Sequence, residues 1–215
     1  MKMKQVRLNT FETNSSSSHS FVITDFEGRY SQEEIMNHVY LRNDGKVIMW
    51  ESRLTFGRSP FDFLNTFESK TRYAIASSNG RLVPQIVEVW KKYVPGFSYF
   101  EFDEKYRVWD EEKQEWVDTD EDNPVYEYGY TDDSMIEGWL KKYNVSVEDF
   151  LTMKRYIIVV DGDEYLIKDK IFNSGLMDTS HIIHDSYAEE EAEWEAKWKA
   201  EQEEKCEKEH TNENY

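Results

Sequence analysis

Four β-branched apolar residues in a row, Ile157-Ile158-Val159-Val160, constrain the fold more than any other stretch of this chain. A strand turns alternate side chains to opposite faces, so a run without a polar member is apolar on both and belongs inside a sheet covered on both sides. The Asp161-Gly162-Asp163 turn and Tyr165-Leu166-Ile167 follow, and the pattern predicts a hairpin whose first arm is a central strand. The rest of the chain has to supply the neighbours and the cover.

Periodicity supplies both. Gln5 to Phe11 alternates Val6 and Leu8 with polar neighbours, Phe21-Val22-Ile23 is β-prone, and Val47-Ile48-Met49-Trp50 is wholly apolar after the Asn43-Asp44-Gly45 turn. Ser31-Gln32-Glu33-Glu34 has the spacing of a capping box, predicting a short helix with Ile35, Val39 and Tyr40 on its apolar face. Ser59-Pro60 predicts a helix start, with Phe61, Leu64, Phe67 and Ile75 on one face and Asn79-Gly80 as its end; Pro84 opens another, striped by Ile86, Val87, Val89, Trp90 and Tyr93. Residues 106–109 and 115–117 flank a charged turn, the pattern of a solvent-facing hairpin, and Asn144-Val145 joins two short helices, the second capped by Ser146.

The expected fold class is α+β: a mixed or mainly antiparallel sheet packed against helices, with a charged C-terminal helix. Strands are expected near 5–11, 20–24, 46–50, 98–109, 115–118 and 156–168, and helices near 60–78, 84–93 and 134–155. Residues 1–187 read as a single α+β domain and 188–215 as an acidic helical tail, on which Trp194 and Trp198 lie four residues apart on one face. With 39% hydrophobic and 15% aromatic residues in 215, the core is ample. The one cysteine, Cys206, excludes an intramolecular disulfide; with no basic-then-apolar leader and no long apolar run, it predicts a cytoplasmic protein.

The net charge of -18 is concentrated. Residues 101–122 hold eleven acids against Lys105, Arg107 and Lys113, and residues 188–215 hold eleven acids against four lysines. Phosphate neutralisation needs clustered Lys and Arg, so direct binding of nucleic acid is not expected, nor is binding to an anionic membrane. Carboxylates spread over a hairpin and a helix can instead imitate the phosphate ladder of a duplex and occupy the basic groove of a nucleic-acid enzyme. Trp109, Glu111, Glu112, Glu115 and Trp116 on the hairpin, with Trp194 and Trp198 on the tail, are the candidate partner-binding residues, the tryptophans as anchors. Solubilising faces are the plain alternative. Exposed tail tryptophans also leave self-association open.

A second candidate site is the segment Asn14-Ser15-Ser16-Ser17-Ser18-His19. Small hydroxyl residues between strands can present hydroxyls and backbone N–H groups to a phosphate, His19 can move a proton, and Arg7 and Arg29 can supply charge. The segment lacks the glycines and lysine of a phosphate-binding P-loop, and the competing reading is a loop that satisfies its own hydrogen bonds. His181-Ile182-Ile183-His184-Asp185 would gather two imidazoles on a helix but face them apart on a strand, and no further ligand pattern completes a metal site. No cofactor is implied.

Phe11-Glu12-Thr13-Asn14-Ser15-Ser16-Ser17-Ser18-His19-Ser20, followed by Phe21-Val22-Ile23, resembles the opening of a family of uncharacterised proteins of bacteriophages and Gram-positive bacteria. The likeness covers roughly the first tenth of the chain and carries no catalytic role. It implies an origin in a phage or mobile element. The functional expectation is therefore an interaction protein that binds a host nucleic-acid-processing or defence protein with a basic surface, as a nucleic-acid mimic or inhibitor. The alternative is a phosphate- or nucleotide-binding enzyme with its site at Asn14 to His19.

Overall fold

The computed structural model describes residues 18–50, 53–56, 62–103, 107–110, 115–118, 128–129, 131, 136–161, 179–186, 192–193 and 196–202. Along the chain lie β1 (Ser18–Thr24), α1 (Gln32–Met36), β2 (Lys46–Trp50), β3 (Asp62–Leu64), α2 (Phe67–Ser77), α3 (Val83–Tyr93) and β4 (Tyr99–Asp103). Then follow β5 (Arg107–Asp110), β6 (Glu115–Asp118), α4 (Ile136–Lys142), α5 (Val147–Thr152), β7 (Tyr156–Asp161) and β8 (Ile182–Asp185). The fold is α+β: a four-stranded antiparallel sheet ordered β3-β7-β1-β8, a parallel pair β2-β4 and an antiparallel pair β5-β6.

The apolar run behaves as its composition dictates. Residues 157–160 are buried on both faces of β7, and β7 is an inner strand. Its neighbours are β1, with Phe21 opposite Ile158, and β3, with Phe63 opposite Val159. The expected hairpin arm at 165–167 lies outside the described residues, as does the expected strand at 5–11. One face of the sheet carries Phe21, Leu64, Ile158 and Val160 into the main core, beneath α2, α4 and α5; the other gathers Val22, Ile157 and Val159 with Phe63 and Ile182.

Local signals set the helix ends. Ser31 and Glu34 close the expected capping box on α1, which ends at Met36; Val39 beyond it is buried, but Tyr40, expected on the apolar face, is exposed. The helix expected over 60–78 starts only at Phe67, where Thr66 and Ser69 form a capping box, because Asp62–Leu64 is drawn into the sheet as β3. Ser59 and Pro60 lie outside the described residues. Asn79 and Gly80 end α2 with φ of 47° and 73°, and a Cβ on Gly80 would stand 2.5 Å from the Tyr128 ring, so only glycine fits there. Pro84 sits in the first turn of α3, and Ser146 caps α5 through the N–H of Asp149.

The strand expected over 98–109 is two strands, 99–103 and 107–110. The first pairs in parallel with β2, Val47 opposite Phe100, and the second pairs antiparallel with β6, as the two arms of the expected hairpin would; its turn, 111–114, lies outside the described residues.

Candidate functional site

Strand pairing decides where the serine segment ends. Serine favours turns, but β1 begins at Ser18, because Ser18, His19 and Ser20 are held opposite Asp161, Val160 and Val159 of β7. The last three residues of the motif are thus sheet rather than loop. Arg7, Asn14, Ser15, Ser16 and Ser17 lie outside the described residues, and of Ser18 only the backbone is described.

His19 shares the core face with Phe21 and is 5% exposed. Its Nδ1 hydrogen-bonds the Tyr73 hydroxyl of α2 at 3.0 Å, and the two rings meet edge to face with centroids 5.6 Å apart. Tyr73 also meets Phe56 at 5.2 Å and stacks parallel to Trp139 of α4 at 6.5 Å. Trp139 is buried, and its indole N–H has no hydrogen-bond partner among the described residues. The imidazole therefore sits in the core against Tyr73, whose ring links it to Phe56 and Trp139.

The ring chain continues. Phe21 meets Trp139, Tyr143, Phe150 and Tyr156 at 5.4 to 6.0 Å, and Tyr143 receives His184 of β8, whose Nε2 lies 2.7 Å from its hydroxyl. His181, in the 3-10 turn Thr179–His181, instead turns its Nδ1 to Asp25 at 2.8 Å. The two imidazoles are thus committed to different partners, and among the described residues no three His, Cys, Asp or Glu side chains gather as metal ligands.

Arg29, expected to supply charge, bonds Asp149 and Thr152 of α5 through its guanidinium and pairs with Met153 in an isolated bridge, so it staples the segment between β1 and α1 to that helix. Glu148 accepts from Lys92 and Tyr93, each at 2.7 Å, and its carboxyl is held below the usual range, chiefly by Lys92.

Sequence reading missed Lys70. It is fully buried on α2, donating from Nζ to the carbonyls of Met153 at 2.8 Å and Tyr156 at 3.2 Å, with the Tyr30 and Phe150 rings over its charge at 4.8 and 5.6 Å. Burial pushes its ammonium well below the ordinary lysine value. α2 is covered almost all round, so no local pattern in the sequence marks Lys70 as buried. With its ammonium held by two carbonyls at the α5-β7 connection and flanked by a ring of α5 and by Tyr30 before α1, it is a clamp rather than a reactive amine.

The acidic surfaces are described in part. Register places Trp109 opposite Trp116 and Asp110 opposite Glu115 on the β5-β6 pair; Glu111 and Glu112 lie outside the described residues. In the tail, residues 192–193 and 196–202 are helical and all exposed, Trp198 to 47%, while Trp194 lies outside the described residues. Comparison with models of protein families, with curated proteins and with solved structures found no match. No helix among the described residues is long and apolar enough to cross a membrane.

Proposed function

We propose that this chain is an interaction protein of phage or mobile-element type, which binds a basic host protein of nucleic-acid processing or defence through its acidic surfaces in the host cytoplasm. The observation that supports this reading is that the described tail residues, 192–193 and 196–202, are helical and exposed, Trp198 among them, in a stretch, 188–215, whose sequence carries a net charge of -7: an exposed aromatic anchor next to many carboxylates suits a basic partner. The β5-β6 pair adds a second acidic element, with two tryptophans at one register position. Affinity capture from bacterial lysate tests it, comparing the wild type, His19→Ala and a chain ending at Tyr187. A stoichiometric basic partner that is lost with the tail, and whose binding weakens steeply with added salt, is expected. A partner retained by the truncated chain would refute the reading.

A second reading rests on the Trp139 indole N–H. A buried donor without a partner among the described residues, on a ring stacked against the Tyr73 that hydrogen-bonds His19, supports a phosphate- or nucleotide-binding enzyme with its site at Asn14 to His19. Under that reading His19→Ala loses a phosphorylated metabolite in the same capture experiment, and the tail is dispensable.

A further inference from the structure

The outer face of the β2-β4 pair carries exposed aromatic rings where a strand ordinarily carries polar side chains. Along β2 burial alternates: Val47 and Met49 enter the core, while Lys46, Ile48 and Trp50 share the other side. The parallel register sets Tyr99 beside Lys46, Glu101 beside Ile48 and Asp103 beside Trp50. Trp50 is 47% exposed and Tyr99 45%. Four residues of strand separate their rows, about 13 Å at about 3.3 Å per residue.

Both cations on this face are committed to carboxylates, and Asp103 adds a further negative charge beside Trp50. Lys46 lies 3.4 Å from Glu101 and 3.9 Å from Asp44, and Arg42 lies 3.6 Å from Asp44 and 3.9 Å from Glu101; the Lys46 ammonium also stands 5.1 Å from the centre of the Tyr99 ring. The turn that presents Arg42 and Asp44 is rigid. Arg42 and Lys46 are tied by a backbone bond, Gly45 donates to the Arg42 carbonyl, and a Cβ on Gly45, at φ +81°, would stand 2.5 Å from the Gly96 carbonyl oxygen.

We propose that this face binds a neutral oligosaccharide. A pyranose has an apolar C–H face that stacks on an aromatic ring and a rim of hydroxyls that both donate and accept, so it uses carboxylates and cations together. Two exposed rings in separate rows, with fixed carboxylates and cations between and beside them, match an extended chain of such rings. With both cations paired and Asp103 beside Trp50, the face has no uncommitted cation for a polyanion, and its charged groups differ from the dry apolar centre of a protein interface. The site is independent of the acidic tail.

The test is calorimetric titration of the full chain with cellohexaose, maltohexaose and N-acetylchitohexaose, after a printed array of neutral oligosaccharides. Trp50→Ala and Tyr99→Ala remove the rings, Trp50→Phe keeps one, and circular dichroism checks each fold. At least one neutral oligosaccharide is expected to bind, with affinity roughly tenfold or more weaker in each alanine variant and largely kept in Trp50→Phe and in the chain ending at Tyr187. Absence of any binding, or binding indifferent to both alanine variants, overturns the proposal. So does a face occupied by something else: a dimer by sedimentation that Trp50→Ala dissociates, or preferential binding of a heparin oligosaccharide.

Discussion

Phe21→Ala should be the most damaging single truncation on β1. Phe21 has no exposed surface, and four rings from α4, the α4-α5 turn, α5 and β7 converge on it: Trp139, Tyr143, Phe150 and Tyr156. Burying an aromatic side chain removes about 150–250 Å² from water, worth about 4–6 kcal/mol at about 25 cal/mol per Å², and alanine recovers only part of that. Measured Phe→Ala losses of about 3–5 kcal/mol agree. In a chain of this size 1 kcal/mol moves the melting midpoint by about 2–4 °C, so a loss of about 4 kcal/mol lowers it by about 8–16 °C. Against a total stability of about 5–15 kcal/mol, that is enough to unfold a weak variant outright. Urea denaturation followed by tryptophan fluorescence measures it, with Phe21→Leu, which keeps most of the volume, as a control costing about 1–1.5 kcal/mol. A loss below about 1 kcal/mol at unchanged m-value would mean that α4 and α5 are not seated on β1 through this ring.

Lys70→Met should flatten the alkaline limb of the stability profile. Burial lowers the folded pKa of Lys70, so between that value and the ordinary 10.5 the unfolded chain binds more protons and stability rises with pH; methionine removes the rise, as denaturation at a series of pH values would record. Glu34, hydrogen-bonded by Lys154 and by the Ser31 backbone, is held down to about 2, so its contribution is present above pH 4.5 and lost as pH falls toward 2. Carboxyl NMR titration should show that low midpoint, moving toward the ordinary range in Lys154→Met. Thr66→Ala removes the side-chain acceptor for the Ser69 N–H at the start of α2 and should cost about 1 kcal/mol by chemical denaturation.

What was legible in the sequence was local. The capping box at Ser31, the proline at the start of α3, the cap at Ser146 and the apolar run of β7 each write their structure into a few adjacent residues. What was missed depends on distant partners. Asp62–Leu64 is a strand because β7 has an edge to offer, and β4 lies parallel to β2, a pairing no local pattern announces. Ser18 joins β1 because the ladder with β7 outweighs serine's preference for turns. Lys70 reads as a surface residue until two carbonyls and two rings, from segments 40 to 86 positions away, close around its ammonium. Of the candidate sites, the pairing of the two strands around residues 111–114 was anticipated, whereas the burial of His19 against Tyr73 was not.

That burial changes what a mutation at His19 can mean. His19→Ala removes a buried side chain that packs on the Tyr73 ring and deletes its hydrogen bond to the Tyr73 hydroxyl, each of which destabilises the fold whatever the protein does. Loss of a partner or metabolite in that variant therefore implicates chemistry only if the melting midpoint is measured alongside and the protein is folded at the assay temperature. Truncation at Tyr187 carries no such ambiguity at residues 192–193 and 196–202, which are all exposed and contribute little to the core. Tyr73→Phe sharpens the comparison, because it keeps the ring stack and deletes one hydroxyl. If binding falls with that hydroxyl while stability changes by less than about 1 kcal/mol, the net worth of a typical hydrogen bond, the His19–Tyr73 pair belongs to a site. If binding follows the tail and ignores the hydroxyl, His19 belongs to the core that holds β1 in place.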